Sequence, residues 1–356
     1  MESEGKSGVK MQVSTEDLGR CSKSILTAVG VPDEDADIIV DSILYAHTRG
    51  KHTHGIGRMP IYVRKINEGL MNPKTPMTVI AENPATTVYD AENGFGQVAA
   101  IRAMDSAIEK AKVYGVGMVG VRNSNNFGTA GFIGEHAIEK GIIGIVLANS
   151  GPAIAPTGGN KAILGTNPIC VAFPSDGTNP PIIFDMACSN AARGKIRLAA
   201  KNGEKIPLGW AVDETGKETD DPNEALKGTM MPIGGYKGFG LALCVDILAG
   251  MVTGSAFGGA VKNLNHPSEI SRYGHMLVAI NPTAFLPEEE YKEKLAQAIS
   301  NIKACGEEGE ILLPGEKSYR SAQSNMETVE IGDKLISEFN ELIQSVKAGE
   351  QLKERK

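Results

Sequence analysis

Regular spacing of apolar residues predicts helices at the beginning of the chain. Behind Ser14, a residue type that caps helices, apolar side chains at positions 18, 21, 25 and 29 recur at three- and four-residue steps. The sequence Gly-Val-Pro at residues 30–32 ends this helix. Two more helices are predicted over residues 33–46 and 57–68.

From Met77 onward, short apolar runs are typical of buried strands, and they alternate with helical patterns. This alternation predicts an α/β core. The change of pattern places domain borders near residues 76 and 285, giving segments 1–76, 77–284 and 285–356. Strands are expected at 78–80, 86–90, 116–122, 142–148, 169–174, 182–187 and 275–280, and helices at 97–114, 238–253, 288–305 and 331–346, the last followed by a charged KERK tail.

Composition narrows the class of protein. The 36 basic residues are scattered among 43 acidic ones, for a net charge of −7, which argues against a nucleic-acid partner. No apolar run approaches the roughly 20 residues of a membrane span, and residues 1–9 lack a secretory signal. The five cysteines show no C-x-x-C spacing and mostly lie in apolar runs, as buried thiols do in a reducing compartment. A cytoplasmic protein with no membrane partner is expected.

Two glycine motifs suggest different structures. The G-x-G-x-x-G letters at residues 115–120 follow a helical pattern and precede a strand, the reverse of a Rossmann unit, so they predict the end of a helix. The loop GGYKGFG at residues 234–240 precedes an apolar helix and contains Lys237. It is either a phosphate seat or a tight turn with a solvated lysine.

Three of the six histidines, His47, His52 and His54, lie within eight residues. A metal-dependent hydrolase is one interpretation, although no H-E-x-x-H motif and no neighbouring acid support it. In THGIGR, residues 53–58, a helical conformation would place His54 and Arg58 on one face. An imidazole can protonate a nascent alkoxide and a guanidinium can fix a carboxylate, as reduction of a 2-oxo acid requires. The alternative is an exposed polar turn.

Seven motifs occur in order along the chain: THGIGRMPIYVRKINEGLMNP, RNSNNFGTAGF, ANSGPAIAPTGG, LGTNPICVAFP, FDMACSNAARGKI, GGYKGFGLALCVDILAG and LLPGE. Together they resemble the malate/L-lactate dehydrogenase family, which includes sulfolactate and ureidoglycolate dehydrogenases and 2,3-diketogulonate reductase. The resemblance implies an NAD- or NADP-dependent 2-hydroxy acid oxidoreductase, assembled as a homodimer. It also implies an α/β fold with a non-Rossmann mixed-sheet nucleotide-binding domain, and a helical domain built from the N- and C-terminal segments.

The same resemblance implies the roles of individual residues. His54 matches the proton donor, Thr53 stands where relatives have serine, and Arg58 matches the arginine that binds the substrate carboxylate. Thr166 and Lys195 match positions near the substrate, and Lys195 or Arg193 is expected to hold a second acidic group. The matching cofactor-binding positions are Ser150, Phe184, Asp185, Met186, Lys237, Pro314, Gly315 and Glu316.

One position departs from the family pattern. Many relatives have N-H-F-G, with a catalytic histidine in some, where this chain has Asn125-Asn126-Phe127-Gly128. Asn126 cannot exchange protons near neutral pH. Either His54 is the sole acid/base and Asn126 orients substrate or nicotinamide, or the protein is altered in activity, at the extreme a nucleotide-binding homologue without turnover. The expected substrates are malate/oxaloacetate, then L-lactate/pyruvate, then sulfolactate.

Overall fold

A computed structural model describes residues 10–307 and 309–353. Expectations for residues 1–9 and for the last three residues of the KERK tail lie outside the described residues. Contacts divide the chain into two units. One unit combines the residues up to Lys74 with those from Lys317 onward, and the other is Thr75–Glu316.

The first unit begins with a short strand and three helices. The side-chain oxygen of Ser14 accepts a hydrogen bond from the backbone N–H of Asp17 at 3.4 Å, so the predicted cap is confirmed. The third helix begins later than predicted, because residues 52–58 form two short 3-10 turns instead. The elements are β1 (Lys10–Ser14), α1 (Thr15–Ala28), α2 (Asp33–Thr48) and α3 (Met59–Asn67).

The second unit is built on a seven-stranded mixed sheet, as expected, and all seven strands were predicted. The sheet order is β2-β3-β4-β10-β5-β6-β7, in which only β3 and β4 run parallel. The unit contains β2 (Thr78–Glu82), β3 (Thr86–Asp90), α4 (Gly96–Tyr114), β4 (Val116–Ser124), α5 (Ala130–Ile138), β5 (Ile143–Ala148), β6 (Ile169–Phe173), β7 (Ile182–Met186), α6 (Arg193–Asn202), β8 (Ala211–Val212), α7 (Pro222–Lys227), β9 (Thr229–Met230), α8 (Tyr236–Val245), β10 (Tyr273–Ile280) and α9 (Glu288–Lys303).

Helix α4 connects the two parallel strands and ends where the glycine motif predicted. Gly115 caps the helix with φ 82°, and its N–H donates to the carbonyl of Ala111. A side chain on Gly117 would overlap the backbone of Ala107, so this glycine lets β4 lie directly against α4. The G-x-G-x-x-G letters therefore serve helix termination and close packing, and the prediction is confirmed.

The observed division differs from the predicted border near residue 285. Residues 285–316, which include α9, group with the second unit. The hydroxyl of Tyr291 donates to the carbonyl of Pro174 at 3.2 Å, and Lys303 pairs with buried Glu316 at 3.2 Å. These two contacts hold α9 to the sheet unit.

The chain closes the first unit with α10 (Glu316–Ser324), β11 (Thr328–Gly332) and α11 (Asp333–Ser345). Strand β11 pairs antiparallel with β1, from Lys10 opposite Gly332 to Ser14 opposite Thr328. This pairing joins the two ends of the sequence in one unit.

Two further observations concern the sequence expectations. Three of the five cysteines are buried, Cys21, Cys170 and Cys188, whereas Cys244 and Cys305 are exposed. The expectation of buried thiols therefore holds for three of the five. Among the described residues, no helix has the length and apolar character needed to cross a membrane.

Candidate functional site

Residues 52–58, here called the histidine turn, are held in place by a buried imidazole. His47, on α2, is 2% exposed, and its Nε2 accepts a hydrogen bond from the backbone N–H of Ile56 at 2.9 Å. Burial lowers the pKa of His47 to about 4, so the ring is neutral and keeps this acceptor. Any side chain on Gly55 would overlap the His47 ring. Glycine at position 55 is therefore required for the imidazole to support the turn.

The histidine turn brings the three expected residues together. The Thr53 hydroxyl lies 3.0 Å from Nδ1 of His54. The Arg58 Nε donates to the carbonyl of Thr53 at 2.8 Å, while its two terminal nitrogens make no hydrogen bond within the described residues. All three side chains are partly exposed. If the hydroxyl donates to Nδ1, the proton of neutral His54 resides on Nε2.

The physical cause of this proximity differs from the expected one. A continuous helix does not carry His54 and Arg58 on one face, because the backbone is extended at Gly55, with φ −89° and ψ −152°, between the two 3-10 turns. The link is instead the carbonyl of Thr53. It orients the guanidinium plane and leaves the terminal fork available to a carboxylate.

The three histidines do not form a metal cluster. Nε2 of His47 is engaged by the backbone, and its Nδ1 lies 3.4 Å from Nδ1 of His52. Within residues 10–307 and 309–353, no group of three His, Cys, Asp or Glu side chains is arranged to hold a metal ion. The described chain thus contains no set of metal ligands for the metal-dependent hydrolase considered in the sequence analysis.

In the second unit, a buried asparagine joins several motif segments. Asn167 is fully buried, and its Oδ1 accepts from the backbone N–H of Ser150 at 3.0 Å while its Nδ2 donates to Ala242 on α8 at 2.8 Å. Its carbonyl accepts from the Cys188 thiol at 3.0 Å. The carbonyl of Thr166 accepts from the N–H of Cys188 at 2.7 Å. The segments around Ser150, Thr166, Cys188 and α8 thus share one anchor.

A second buried asparagine organises the far end of α8 and was likewise missed in the sequence. Asn149 donates to Asp246 at 3.0 Å and to the carbonyl of Ala256 at 2.7 Å, and accepts from the N–H of Gly274 at 2.9 Å. Loop asparagines give no periodic signal. The only sequence indication was that Asn149 and Asn167 border strands of the core.

The glycine loop before α8 has the features of an anion seat. Gly234 and Gly235 have φ 57° and 63°, and Gly235 precedes the helix without any side-chain cap. Gly238 presses against the carbonyl of Cys188, so a side chain there would overlap it. Lys237 is exposed in the first turn. The N–H groups of Lys237 and Gly238 already donate to the carbonyls of Gly234 and Ile233, so the exposed ammonium of Lys237 is the group here that fits the phosphate of a dinucleotide.

Two other expected cofactor segments meet at the edge of the sheet. The backbone N–H of Ile183 on β7 donates to the carbonyl of Pro314 at 3.0 Å, and Gly315 packs on the same residue. Phe184 is 42% exposed on this strand. Glu316, by contrast, is buried, bonded to Lys303 and to the N–H of Leu313. Its carboxylate therefore stabilises the loop, and the surface beside Phe184 is the part open to a ligand.

The two basic residues of α6 that were expected near the substrate, Arg193 and Lys195, have different surroundings. Arg193 donates to the carbonyls of Pro152 and Leu226, each at 3.1 Å, and burial lowers its pKa. Lys195 is exposed, with its Nζ 6.0 Å from the centre of the Trp210 ring. Arg193 thus braces α6, and Lys195 is the cation available to a ligand.

Asn126 lies in residues 122–128, here called the asparagine segment. Its Oδ1 accepts from the N–H of Gly128 at 3.1 Å, which closes a tight turn at Gly128, φ 80°. The neighbouring ring of Phe127 packs on His275, with centroids 4.9 Å apart. Helix α5, which follows the segment, is joined to the expected cofactor strand β7, because Asp185 accepts from the N–H of Gly131 at 3.2 Å.

Through its hydroxyl and its carbonyl, Thr53 contacts both His54 and Arg58, which are the proton donor and the carboxylate-binding group that a hydroxy acid dehydrogenase needs. Comparison with known proteins gives the same class. The malate/L-lactate dehydrogenase family model matches residues 13–340. The chain belongs to this family and is a hydroxy acid dehydrogenase.

Several known proteins resemble the chain along nearly all of its length. The L-sulfolactate dehydrogenase of Methanothermobacter thermautotrophicus is 39% identical over 345 residues, 97% of this chain and 100% of the relative. The solved sulfolactate dehydrogenase of Methanocaldococcus jannaschii has a TM-score of 0.88 at 40% identity, covering 95% of this chain and 98% of that one. The solved malate dehydrogenase of Pyrococcus horikoshii has a TM-score of 0.86 at 36% identity, covering 97% of this chain and 99% of that one.

Proposed function

We propose that the protein interconverts a small 2-hydroxy acid and its 2-oxo acid, and that the acid carries a second anionic group, as malate and sulfolactate do. The observation that carries the proposal is the histidine turn. It holds a proton donor, His54, and a guanidinium fork, Arg58, through a single residue, Thr53. Relatives named sulfolactate dehydrogenase and malate dehydrogenase support our choice of sulfolactate and malate ahead of lactate as candidate substrates.

Each residue of the turn has a defined task. Lys237 and the surface beside Phe184 would hold the cofactor, NAD or NADP, which would supply or accept the hydride at C2. In the reducing direction protonated His54 gives its proton to the C2 oxygen as negative charge develops there, and becomes neutral. In the oxidising direction neutral His54 accepts the proton of the C2 hydroxyl. Thr53 fixes the ring through Nδ1, and Arg58 binds the C1 carboxylate with two parallel hydrogen bonds.

A second cation is needed for a doubly anionic substrate, and Lys195 is our candidate. Its ammonium is exposed, whereas the guanidinium of Arg193 already serves two backbone carbonyls. Sulfonate and carboxylate both accept hydrogen bonds from an ammonium. Lys195 thus accounts for a preference for malate or sulfolactate over lactate.

We also propose that the active form is a homodimer. Leu243, Ile247 and Met251 recur every four residues along α8 and its π-helical continuation, Asp246–Met251, and are 40%, 38% and 48% exposed. Apolar side chains along a helix are normally buried. A second copy of the chain is the partner we infer, and light scattering of the wild type and of Ile247→Asp tests it. The variant should have half the mass of the wild type.

The direct test of the function is a spectrophotometric screen of 2-oxo acids with NADH and NADPH separately. Sulfopyruvate and oxaloacetate should be reduced with higher kcat/KM than pyruvate, and Lys195→Ala should remove most of that preference. A protein that binds NADH without consuming it in the presence of any of the three acids would instead be a nucleotide-binding homologue. Such a result would contradict the proposal.

A further inference from the structure

The three asparagines of residues 122–128 are chemically alike but structurally different. Asn123 donates from Nδ2 to Asp90 at 2.9 Å. Asn125 is fully buried and donates from Nδ2 to the carbonyls of Asn93 and Gly94, each at 2.9 Å. The N–H₂ groups of both side chains therefore hydrogen-bond within the protein and hold the segment in place.

Asn126 alone keeps its donor. Its Oδ1 is committed to the N–H of Gly128, so the amide orientation is fixed, and its Nδ2 makes no hydrogen bond within the described part of the chain. The side chain is partly buried. A half-buried N–H₂ group held in one orientation is suited to meet an acceptor atom of a ligand.

The backbone that carries Asn126 is held on both sides. A side chain on Gly96, at the start of α4, would overlap the carbonyls of Asn125 and Asn126, so the helix is in direct contact with this backbone. On the other side, Ser124 hydrogen-bonds Nε2 of fully buried His275 at 2.8 Å. The position of the donor is therefore set before any ligand arrives.

The helix that follows the segment is bonded to the strand that we assign to the cofactor. Asp185 of β7 accepts from the N–H of Gly131 in the first turn of α5, three residues beyond Gly128. The free donor of Asn126 thus lies five residues along the chain from a bond to β7. This connection, within the second unit, points to a substrate or cofactor acceptor for the amide.

We propose that Asn126 is a fixed hydrogen-bond donor to an oxygen of the bound 2-oxo acid, and that it takes no part in proton transfer. The inference rests on the proposed function and deepens it. A histidine at position 126 could keep the same turn by accepting the N–H of Gly128 through Nδ1. His266 accepts in this way from the N–H of Ser268 at 3.4 Å. Such a histidine would present Nε2–H to the ligand in place of the amide N–H₂. Compared with histidine, asparagine also provides a hydrogen-bond donor but does not change its protonation state with pH.

The test compares variants that separate the donor from the turn. Asn126→Asp keeps an acceptor for Gly128 but removes the donor, Asn126→Ala removes both, and Asn126→His restores both. Asn281→Asp is the matched control, since Asn281 closes the same kind of turn with the N–H of Thr283 at 3.1 Å and has no assigned role in the site. Binding of oxamate, an unreactive 2-oxo acid analogue, to protein saturated with NADH or NADPH is measured by calorimetry, together with kcat and KM.

Loss of one hydrogen bond should weaken oxamate binding about tenfold in Asn126→Ala, and more in Asn126→Asp, which adds a negative charge. Asn126→His should bind nearly as the wild type does, with a new dependence on pH near neutrality. Cofactor affinity and Tm should not change in Asn126→Asp, and Asn281→Asp should match the wild type throughout.

Two results would overturn the inference, and they differ in what else they affect. If the wild type reduces 2-oxo acids and Asn126→Asp binds oxamate equally well, the donor role is wrong and the proposed function stands. If the wild type neither binds oxamate nor reduces any of the three 2-oxo acids, the proposed function and this inference both fail.

Discussion

The histidine turn and the asparagine segment solve the same problem with different chemistry. Each is a short loop fixed by a buried histidine, His47 beneath the first and His275 beside the second, and burial lowers the pKa of these to about 4 and about 3. Both supports are neutral rings. The histidine turn carries an imidazole and a guanidinium as candidate ligand-binding groups. The asparagine segment carries three amides, and its one charged side chain, Arg122, is paired with Asp90 at 2.8 Å.

The difference shows how one chain can separate proton transfer from recognition. The proposed proton donor and the proposed carboxylate clamp both belong to the histidine turn, where Thr53 contacts the two side chains. The amide of Asn126 in the asparagine segment offers a donor whose state does not change with pH. On this account, replacing His54 changes the chemical step, whereas replacing Arg58 or Asn126 changes binding.

The largest effect is expected at the proton donor. His54→Gln should lower kcat by about 10²–10⁴, because loss of a general acid typically costs that much. NADH affinity, measured by fluorescence titration, should remain near the wild-type value. His52→Gln, a matched change in the same turn, should lower kcat only slightly. Equal losses in the two variants would remove the special role of His54.

The next effect concerns the carboxylate clamp. Arg58→Lys should raise KM for the 2-oxo acid about 10- to 100-fold, because an ammonium cannot form the paired charge-assisted hydrogen bonds of a guanidinium. Steady-state kinetics at saturating cofactor measure the change. Arg64→Lys, an exposed replacement on α3, is the control and should leave KM unaltered. A wild-type KM in Arg58→Lys would show that the clamp lies elsewhere.

A smaller effect separates two glycines of the histidine turn. Gly55→Ala should lower the free energy of unfolding by about 1–3 kcal/mol, because the added methyl overlaps the His47 ring. Gly57→Ala meets only Leu335 at 3.8 Å and should change stability by no more than about 0.5 kcal/mol. Chemical denaturation measures both. Similar stabilities would mean that the imidazole does not fix the turn.

The last effect is in the pH dependence of stability. Below the ordinary histidine pKa of 6.5 the unfolded chain binds a proton at position 47, while folded His47 stays neutral down to a pKa of about 4. The free energy of unfolding therefore falls as the pH drops from 6.5 to 4. In His47→Gln the slope of the free energy of unfolding against pH should be smaller, by the contribution of about one bound proton. A wild-type slope in the variant would contradict the neutral acceptor.

Much of the fold could be predicted because its signals are local. The Ser14 cap, the helix α4 ended by Gly115 and the seven strands of the main sheet all follow from neighbouring residues. The pairing of β1 with β11 could not be predicted in this way, since it joins segments more than 300 residues apart. Helix α6 was missed as well, because it begins with basic residues and has no N-cap side chain.

The site shows the same division. The residues of THGIGR were predicted from their chemistry and from the family resemblance, but the link between them was not, because it depends on a backbone carbonyl and on the extended conformation at Gly55. Asn149 and Asn167 escaped notice since a loop asparagine in a sequence looks like a turn residue. Only the folded chain shows that Asn167 joins Ser150 to α8.

The central claim is that hydride reaches C2 of a 2-oxo acid while His54 supplies the proton. Single-turnover mass spectrometry with NADH deuterated at C4, or NADPH if the enzyme prefers it, tests this claim with oxaloacetate and sulfopyruvate. The account predicts one deuterium at C2 of the product, formed by His54→Gln about 10²–10⁴ times more slowly than by the wild type. An unlabelled product, or equal rates in the two proteins, would contradict it.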